Sequence, residues 1–127
     1  DLGLLEALCA ECGDRLDVYT GNDHQTVSSM KLGARGVISV YSNLFPEQMS
    51  RLYRLFVNES RTLADQTQRA LLPYYKALFL EVNPIPVKAA MAAMGFCENT
   101  IRLPLTEMED ANREKLLALM RKEGLKV

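Results

Sequence analysis

The run Gly36-Val37-Ile38-Ser39-Val40 constrains this chain more than any other stretch. It is short, rich in β-branched side chains, and bounded by Gly36 on one side and Ser42-Asn43 on the other. That pattern predicts a strand buried on both faces. A second run, Leu16-Asp17-Val18-Tyr19-Thr20, lies upstream, and the residues between the two carry a helical pattern. Strand, helix, strand is a βαβ unit, which demands parallel pairing and a right-handed crossover. Two parallel strands cannot bury themselves, and from Asn58 onward nothing reads as a strand. The unit therefore needs more sheet than these residues offer.

A length of 127 residues suits one domain, and 48% hydrophobic with 24% charged residues is the mix of an ordinary globular protein. A net charge of −1 gives no electrostatic reason to expect nucleic acid or an acidic membrane surface. No apolar run reaches the roughly 18 residues that a membrane span needs. The three cysteines are an odd number, which favours reduced thiols in a cytoplasmic setting over a disulfide framework. The first residues already lie in a helical pattern without a preceding Met, which reads as a piece of a longer protein.

Leu2 to Cys12 places Leu4, Leu5, Leu8 and Cys12 at helical spacing, with Asp1 as a cap or in the first turn and Gly13 as a stop. Cys9 and Cys12 form a C-x-x-C at the C-terminal end of that helix, where the dipole opposes thiolate formation, so two inert thiols are expected. Zinc would need further ligands, and only Cys97 and His24 remain; no metal is expected. After the first strand, Gly21 permits a tight turn, and Asn22 or Asp23 can cap the helix from His24 to Leu32, with Asn22 and Gln25 resembling a capping box. In parallel α/β proteins ligands sit beyond the C-terminal ends of strands, which puts Thr20, Gly21 and Asn22 in position to touch a substrate; simple turn chemistry explains them equally well. His24 reads as a solvated first-turn side chain, since no carboxylate or nucleophile pattern converges on it.

Pro46 opens a third helix with the stripe Met49, Leu52, Tyr53 and Phe56. Ser60 or Asn58 caps a long helix reaching about Leu80, with the stripe Leu63, Ala64, Leu71, Leu72, Tyr75, Leu78 and Phe79 and with Pro73 inside it. Asn83 and Ile85 are expected to be extended, because a proline follows each. A Met-rich helix follows from Val87 to Met94, with Lys88 in its first turn in a structural role. Arg102-Leu103-Pro104-Leu105 reads as an extended connector before a last helix that presents Leu116, Leu117, Leu119 and Met120 and closes at Gly124.

Four motifs, Tyr19-Thr20-Gly21-Asn22-Asp23, Leu32 through Val40, Asn83-Pro84-Ile85-Pro86-Val87-Lys88 and Arg102-Leu103-Pro104-Leu105, occur in the order and spacing of the dihydrodipicolinate synthase family. That family belongs to the pyruvate-dependent, Schiff-base class I aldolases, and the resemblance covers essentially the whole chain. It implies an α/β fold: residues 1–57 as the C-terminal part of a (β/α)8 TIM barrel, holding its last two parallel strands and their helices, and residues 58–127 as a C-terminal all-helical domain. It implies a lyase that joins pyruvate to aspartate semialdehyde through a lysine imine, with no cofactor, in the cytoplasm, and a tetramer to which Leu2 and Leu32 are candidate contacts. The Schiff-base lysine and the proton-shuttling tyrosine belong upstream of Asp1, so this chain alone is expected to be inactive and to need the N-terminal half of the barrel as partner. Two substrate-binding positions remain: Gly21, whose missing side chain leaves room for the keto acid, and Ile38, whose backbone carbonyl faces the imine. Asn22 stands where many members carry an acidic residue. Two rival readings stay open: another aldolase branch acting on sugar-derived or sialic acids, and a non-catalytic helical interaction module.

Overall fold

A computed structural model describes residues 1–127, which divide into two compact units, Asp1–Leu72 and Pro73–Val127.

In the first unit, α1 (Leu2–Cys12) starts on Asp1, whose Oδ1 accepts the Gly3 N–H at 2.8 Å. It ends at Gly13, which stays in the right-handed helical region; its lack of a Cβ matters because one would stand 2.4 Å from the Cys9 carbonyl oxygen. No residue of α1 is buried, and Leu4 and Leu8 are exposed. β1 (Tyr19–Thr20) and β2 (Gly36–Val37) form a two-stranded parallel sheet, with Tyr19 opposite Gly36 and Thr20 opposite Val37. Between them lie a 3-10 turn (Asp23–Gln25) and α2 (Thr26–Lys31), which stops at Gly33 with φ +107°, a conformation that favours glycine.

The strands are parallel and joined through a helix, as expected, but shorter than Leu16–Thr20 and Gly36–Val40 and not buried on both faces. Leu16 is 62%, Tyr19 50% and Ile38 70% exposed. The reason is the one that made the unit incomplete. Two strands leave each ladder with an unpaired margin, and no further strand covers Tyr19 or Ile38. Backbone bonds continue one step beyond each strand end, from Arg35 N–H to the Val18 carbonyl (2.8 Å) and from Ile38 N–H to the Thr20 carbonyl (2.9 Å). Val40 is already helical, and Tyr41–Asn43 makes a 3-10 turn.

α3 (Pro46–Arg54) has Pro46 in its first turn, Glu47 near its N-terminus and Arg51 and Arg54 near its C-terminus, all favourable to the helix dipole. Its buried residues are Met49 and Leu52; a π turn (Leu55–Glu59) then adds Leu55 and Phe56, closed by Ser60 N–H on the Leu55 carbonyl (2.8 Å). Met49, Leu52, Leu55 and Phe56 make the buried stripe, while Tyr53, expected in it, is 44% exposed. Val27, Met30, Tyr41, Leu44 and Phe45 complete this core, with the Tyr41 and Phe45 rings stacked at 4.7 Å.

α4 (Arg61–Ala77) is capped by Ser60, whose Oγ accepts the Leu63 N–H at 3.3 Å. Ala64, Gln68, Leu71, Tyr75 and Leu78 are buried at alternating steps of four and three, so Gln68 belongs to the stripe while Leu63 and Phe79, expected there, are exposed.

The second unit holds α5 (Ile85–Ala93) and α6 (Asp110–Lys122), which pack on each other; Val87, Ala89, Ala90, Leu116, Leu117 and Met120 are buried on them. Ile85 is helical rather than extended: Pro86 stands in the first turn, where its absent N–H is not needed. Asn83–Pro84 and Leu103–Pro104 are cis, and Arg102–Leu105 closes as a turn, with Leu105 N–H on the Arg102 carbonyl, rather than running extended. α6 has no cap of its own; Glu81 supplies one from a distance, its Oε1 accepting the Glu109 N–H (3.0 Å) and the Asn112 side-chain amide (2.9 Å). Gly95 and Gly124 close α5 and α6 with φ +79° and +83°.

Candidate functional site

Ligand chemistry in a parallel α/β unit is expected where the strands end, because loops there are free to vary above a fixed sheet. Here that end is formed by the residues just after Thr20 and Val37, which are paired. Gly21 and Ile38 are therefore neighbours: Ile38 N–H bonds the carbonyl of Thr20, the residue joined to Gly21. A Cβ built on Gly21 would find no atom within 4 Å, and Ile38 is 70% exposed. The structure thus brings these two positions together on an open surface.

The surrounding turns are tied by short-range bonds. Thr20 Oγ1 accepts the Asn22 N–H at 3.2 Å, and the Asn22 side-chain amide reaches Gln25 Oε1 at 3.4 Å. Ser39 Oγ accepts the Ser42 N–H at 2.8 Å, and Asn43 Nδ2 donates to the Val40 carbonyl at 2.9 Å. Thr20 and Asn22 are thus engaged in turn structure, and neither side chain of the pair forms the reciprocal cap that a capping box requires.

The residue that sequence reasoning underrated is Asp23. It is 1% exposed, and its Oδ2 accepts the N–H groups of Val40 (3.0 Å) and Tyr41 (3.1 Å), so it bonds the turn after β2 rather than capping its own helix. Gln68 was missed altogether. Its Nε2 donates to the Asp23 carbonyl (3.0 Å), which also accepts Thr26 Oγ1 (2.8 Å), and its Oε1 accepts the Val27 N–H (3.3 Å). No local pattern marks either role, because the partners lie 17, 18, 45 and 41 residues away. The one available signal was a glutamine spaced as a core residue on an amphipathic helix.

Other candidates lie elsewhere. His24 is exposed in the 3-10 turn. Cys9 and Cys12 are free and half-buried, Cys97 is free and exposed, and no three His, Cys, Asp or Glu side chains converge as a metal cluster. Lys88 Nζ donates to the Thr100 carbonyl at 2.6 Å, beside a cavity of about 480 Å3 that includes Pro84, Arg102 and Leu105. A second cavity, of about 450 Å3, is lined by Tyr19, Gly36, Met49 and Tyr53 among others; neither cavity touches Gly21 or Ile38. No helix is long and apolar enough to cross a membrane.

A parallel strand–helix–strand unit with open turns at the strand C-termini defines an α/β protein. The chain belongs to the dihydrodipicolinate synthetase family, whose model matches residues 1–123. It is similar to the 4-hydroxy-tetrahydrodipicolinate synthase of Geotalea uraniireducens, 43% identical over 114 residues that cover 90% of this chain and 39% of that protein. Among solved structures it resembles the dihydrodipicolinate synthase of Aquifex aeolicus, with TM-score 0.95, 36% identity and coverage of 100% of this chain and 43% of that one. It also resembles the chloride-inhibited enzyme of Acinetobacter baumannii complexed with pyruvate, with TM-score 0.89, 34% identity and coverage of 98% and 43%. The chain thus spans about two fifths of the length of these relatives and matches part of their fold.

Proposed function

We propose that this chain is the C-terminal part of a lyase that condenses pyruvate with aspartate semialdehyde, acting in the cytoplasm as a homo-oligomer, a tetramer when complete. In this reading β1 and β2 are the last two strands of a (β/α)8 barrel that ends at residue 57, and residues 58–127 are an appended helical domain. The observation that carries it is the sheet: two parallel strands with both margins unpaired and Gly21 and Ile38 side by side at their ligand end. Family membership and the pyruvate complex of the Acinetobacter baumannii relative supply the substrate class.

The chemistry would start on a lysine outside this chain. Its amine adds to the keto carbon of pyruvate, water leaves, and loss of a methyl proton gives an enamine that attacks the aldehyde. Gly21 would leave space for the keto acid, and the Ile38 carbonyl would face the imine. In this reading the Schiff-base lysine lies outside this chain, and positioning alone does little without it.

The test joins residues 1–127 to the preceding part of the Geotalea uraniireducens relative, replacing the segment they match. Incubation with pyruvate and borohydride should label a lysine of the grafted part, and the hybrid should turn over aspartate semialdehyde. Residues 1–127 alone should take no label. Label on Lys88 or any other lysine of this chain overturns the reading, and turnover of sugar-derived aldehydes in preference to aspartate semialdehyde moves it to another branch.

A further inference from the structure

We infer that Asp23 is a positioning residue that clamps the turn after β2 to the turn after β1 and so holds the Ile38 carbonyl beside Gly21. The inference rests on the functional reading above. Asp23 lies two residues beyond Gly21, and its side chain is enclosed. Its backbone is fixed first: the carbonyl accepts both Thr26 Oγ1 and Gln68 Nε2, buried groups of α2 and α4. From that base Oδ2 accepts the Val40 and Tyr41 amides. Those amides open the Tyr41–Asn43 3-10 turn, where N–H groups have no partner in their own turn. The carboxylate thus acts as a cap delivered from another element.

The segment held in this way is short. Ile38 is tied on one side by its ladder bond to Thr20, and Val40–Tyr41 on the other by Asp23. Tyr41 is fully buried and stacked on Phe45, which connects the clamp to the core. Only Ser39 intervenes between the two anchors, so the direction of the Ile38 carbonyl follows from them. Without Oδ2, two buried or half-buried amides lose their acceptor and the turn is free to rotate. The second oxygen, Oδ1, is buried and has no partner within the chain, so the clamp works through one accepting oxygen. An asparagine offers the same acceptor; an alanine offers none.

The test uses the full-length enzyme carrying residues 1–127, or the hybrid above, with Asp23→Ala and Asp23→Asn compared in turnover and in hydrogen exchange of the Val40 and Tyr41 amides. Asp23→Ala should speed exchange at both amides at least tenfold and lower kcat about 10- to 100-fold, while KM for pyruvate changes by less than about threefold. Asp23→Asn should stay within about threefold of the parent in exchange and in kcat. Unchanged exchange at Val40 and Tyr41 in Asp23→Ala overturns the inference, and so does Asp23→Asn as impaired as alanine. If the alanine variant does not fold, the asparagine variant decides by the same limits. A parent protein that forms no imine with pyruvate counts against the functional reading alone, and the exchange comparison still decides on the clamp.

Discussion

Replacing Gly21 by alanine separates stability from function more cleanly than any other change in this chain. Most glycines that line turns are needed for their backbone angles. Gly21 is not: its φ lies outside the left-handed region, and an added Cβ meets nothing within 4 Å. Fold stability should therefore hold or rise, by up to about 1 kcal/mol, because alanine narrows the unfolded ensemble. Function should move the other way if the keto acid fills that space. One methyl forced against a close-fitting ligand costs about 1–3 kcal/mol, which is about 5- to 150-fold in kcat/KM. The assay pairs thermal unfolding with turnover of pyruvate and aspartate semialdehyde on the hybrid enzyme, with Gly21→Val as a larger step in the same direction. A Gly21→Ala protein with unchanged kcat/KM shows that no substrate approaches this position. One that unfolds markedly lower than the parent shows that the methyl met protein, and the argument from open space fails.

Two further changes probe the framework. Gln68→Leu keeps the volume but strips the Val27 N–H of its acceptor and the Asp23 carbonyl of one of its three donors, leaving the Thr26 N–H and hydroxyl. A buried donor left unpaired costs about 1–3 kcal/mol, so urea unfolding should come earlier and the Val27 amide should exchange faster; an unaltered Val27 amide contradicts the assignment. Tyr74 donates its hydroxyl to Glu123, and that hydrogen bond, followed by burial and by the carboxylate's charge, pushes the phenol up to about 12. Because the folded value lies above the ordinary one near 10, the contribution is complete below about pH 10 and fades as pH rises through about 12. Glu123→Gln should bring the slowest-titrating phenol back toward 10 in an absorbance titration, and a phenol still near 12 would refute the pairing.

Local chemistry made much of the framework readable. Asp1 and Pro46 mark helix starts, Gly33, Gly95 and Gly124 mark ends through their left-handed φ, and the β-branched run at Val37–Val40 marks the second strand's place. What misled was everything set by distant partners. Ile38 reads as core from its neighbours in sequence, yet it is open because its chain supplies no third strand. Tyr53 reads as core from a spacing of four, but it is 44% exposed at the edge of the stripe, with its ring beside Gly36. Pro86 argues for extension at Ile85 and is overridden because a helix's first turn tolerates it. The site divides in the same way. Gly21 is a proposal that turn chemistry and resemblance suggest, while the bonds of Asp23 and Gln68 span 17 to 45 residues and leave no local mark.

The open sheet also weighs between the rival readings. A self-contained interaction module must protect its strand margins, since unpaired N–H and C=O groups template association; natural modules cover them, charge them or shorten them. This unit has two margins in a sheet of two strands, with Leu16, Tyr19 and Ile38 exposed along it. Arg35 and Asp17, paired at 3.0 Å, are the one charged guard, and they sit before the strands rather than across the exposed hydrophobics. α1 adds to the imbalance: none of its 11 residues is fully buried, and Leu4 and Leu8 are exposed. Apolar surface left bare on both a sheet and the helix beside it is what a cut through a larger core produces, and it is not what a free-standing domain of ordinary composition retains. In the proposed reading that bare surface meets the rest of a barrel, which is why the sheet, more than the helices, supports that reading over the module.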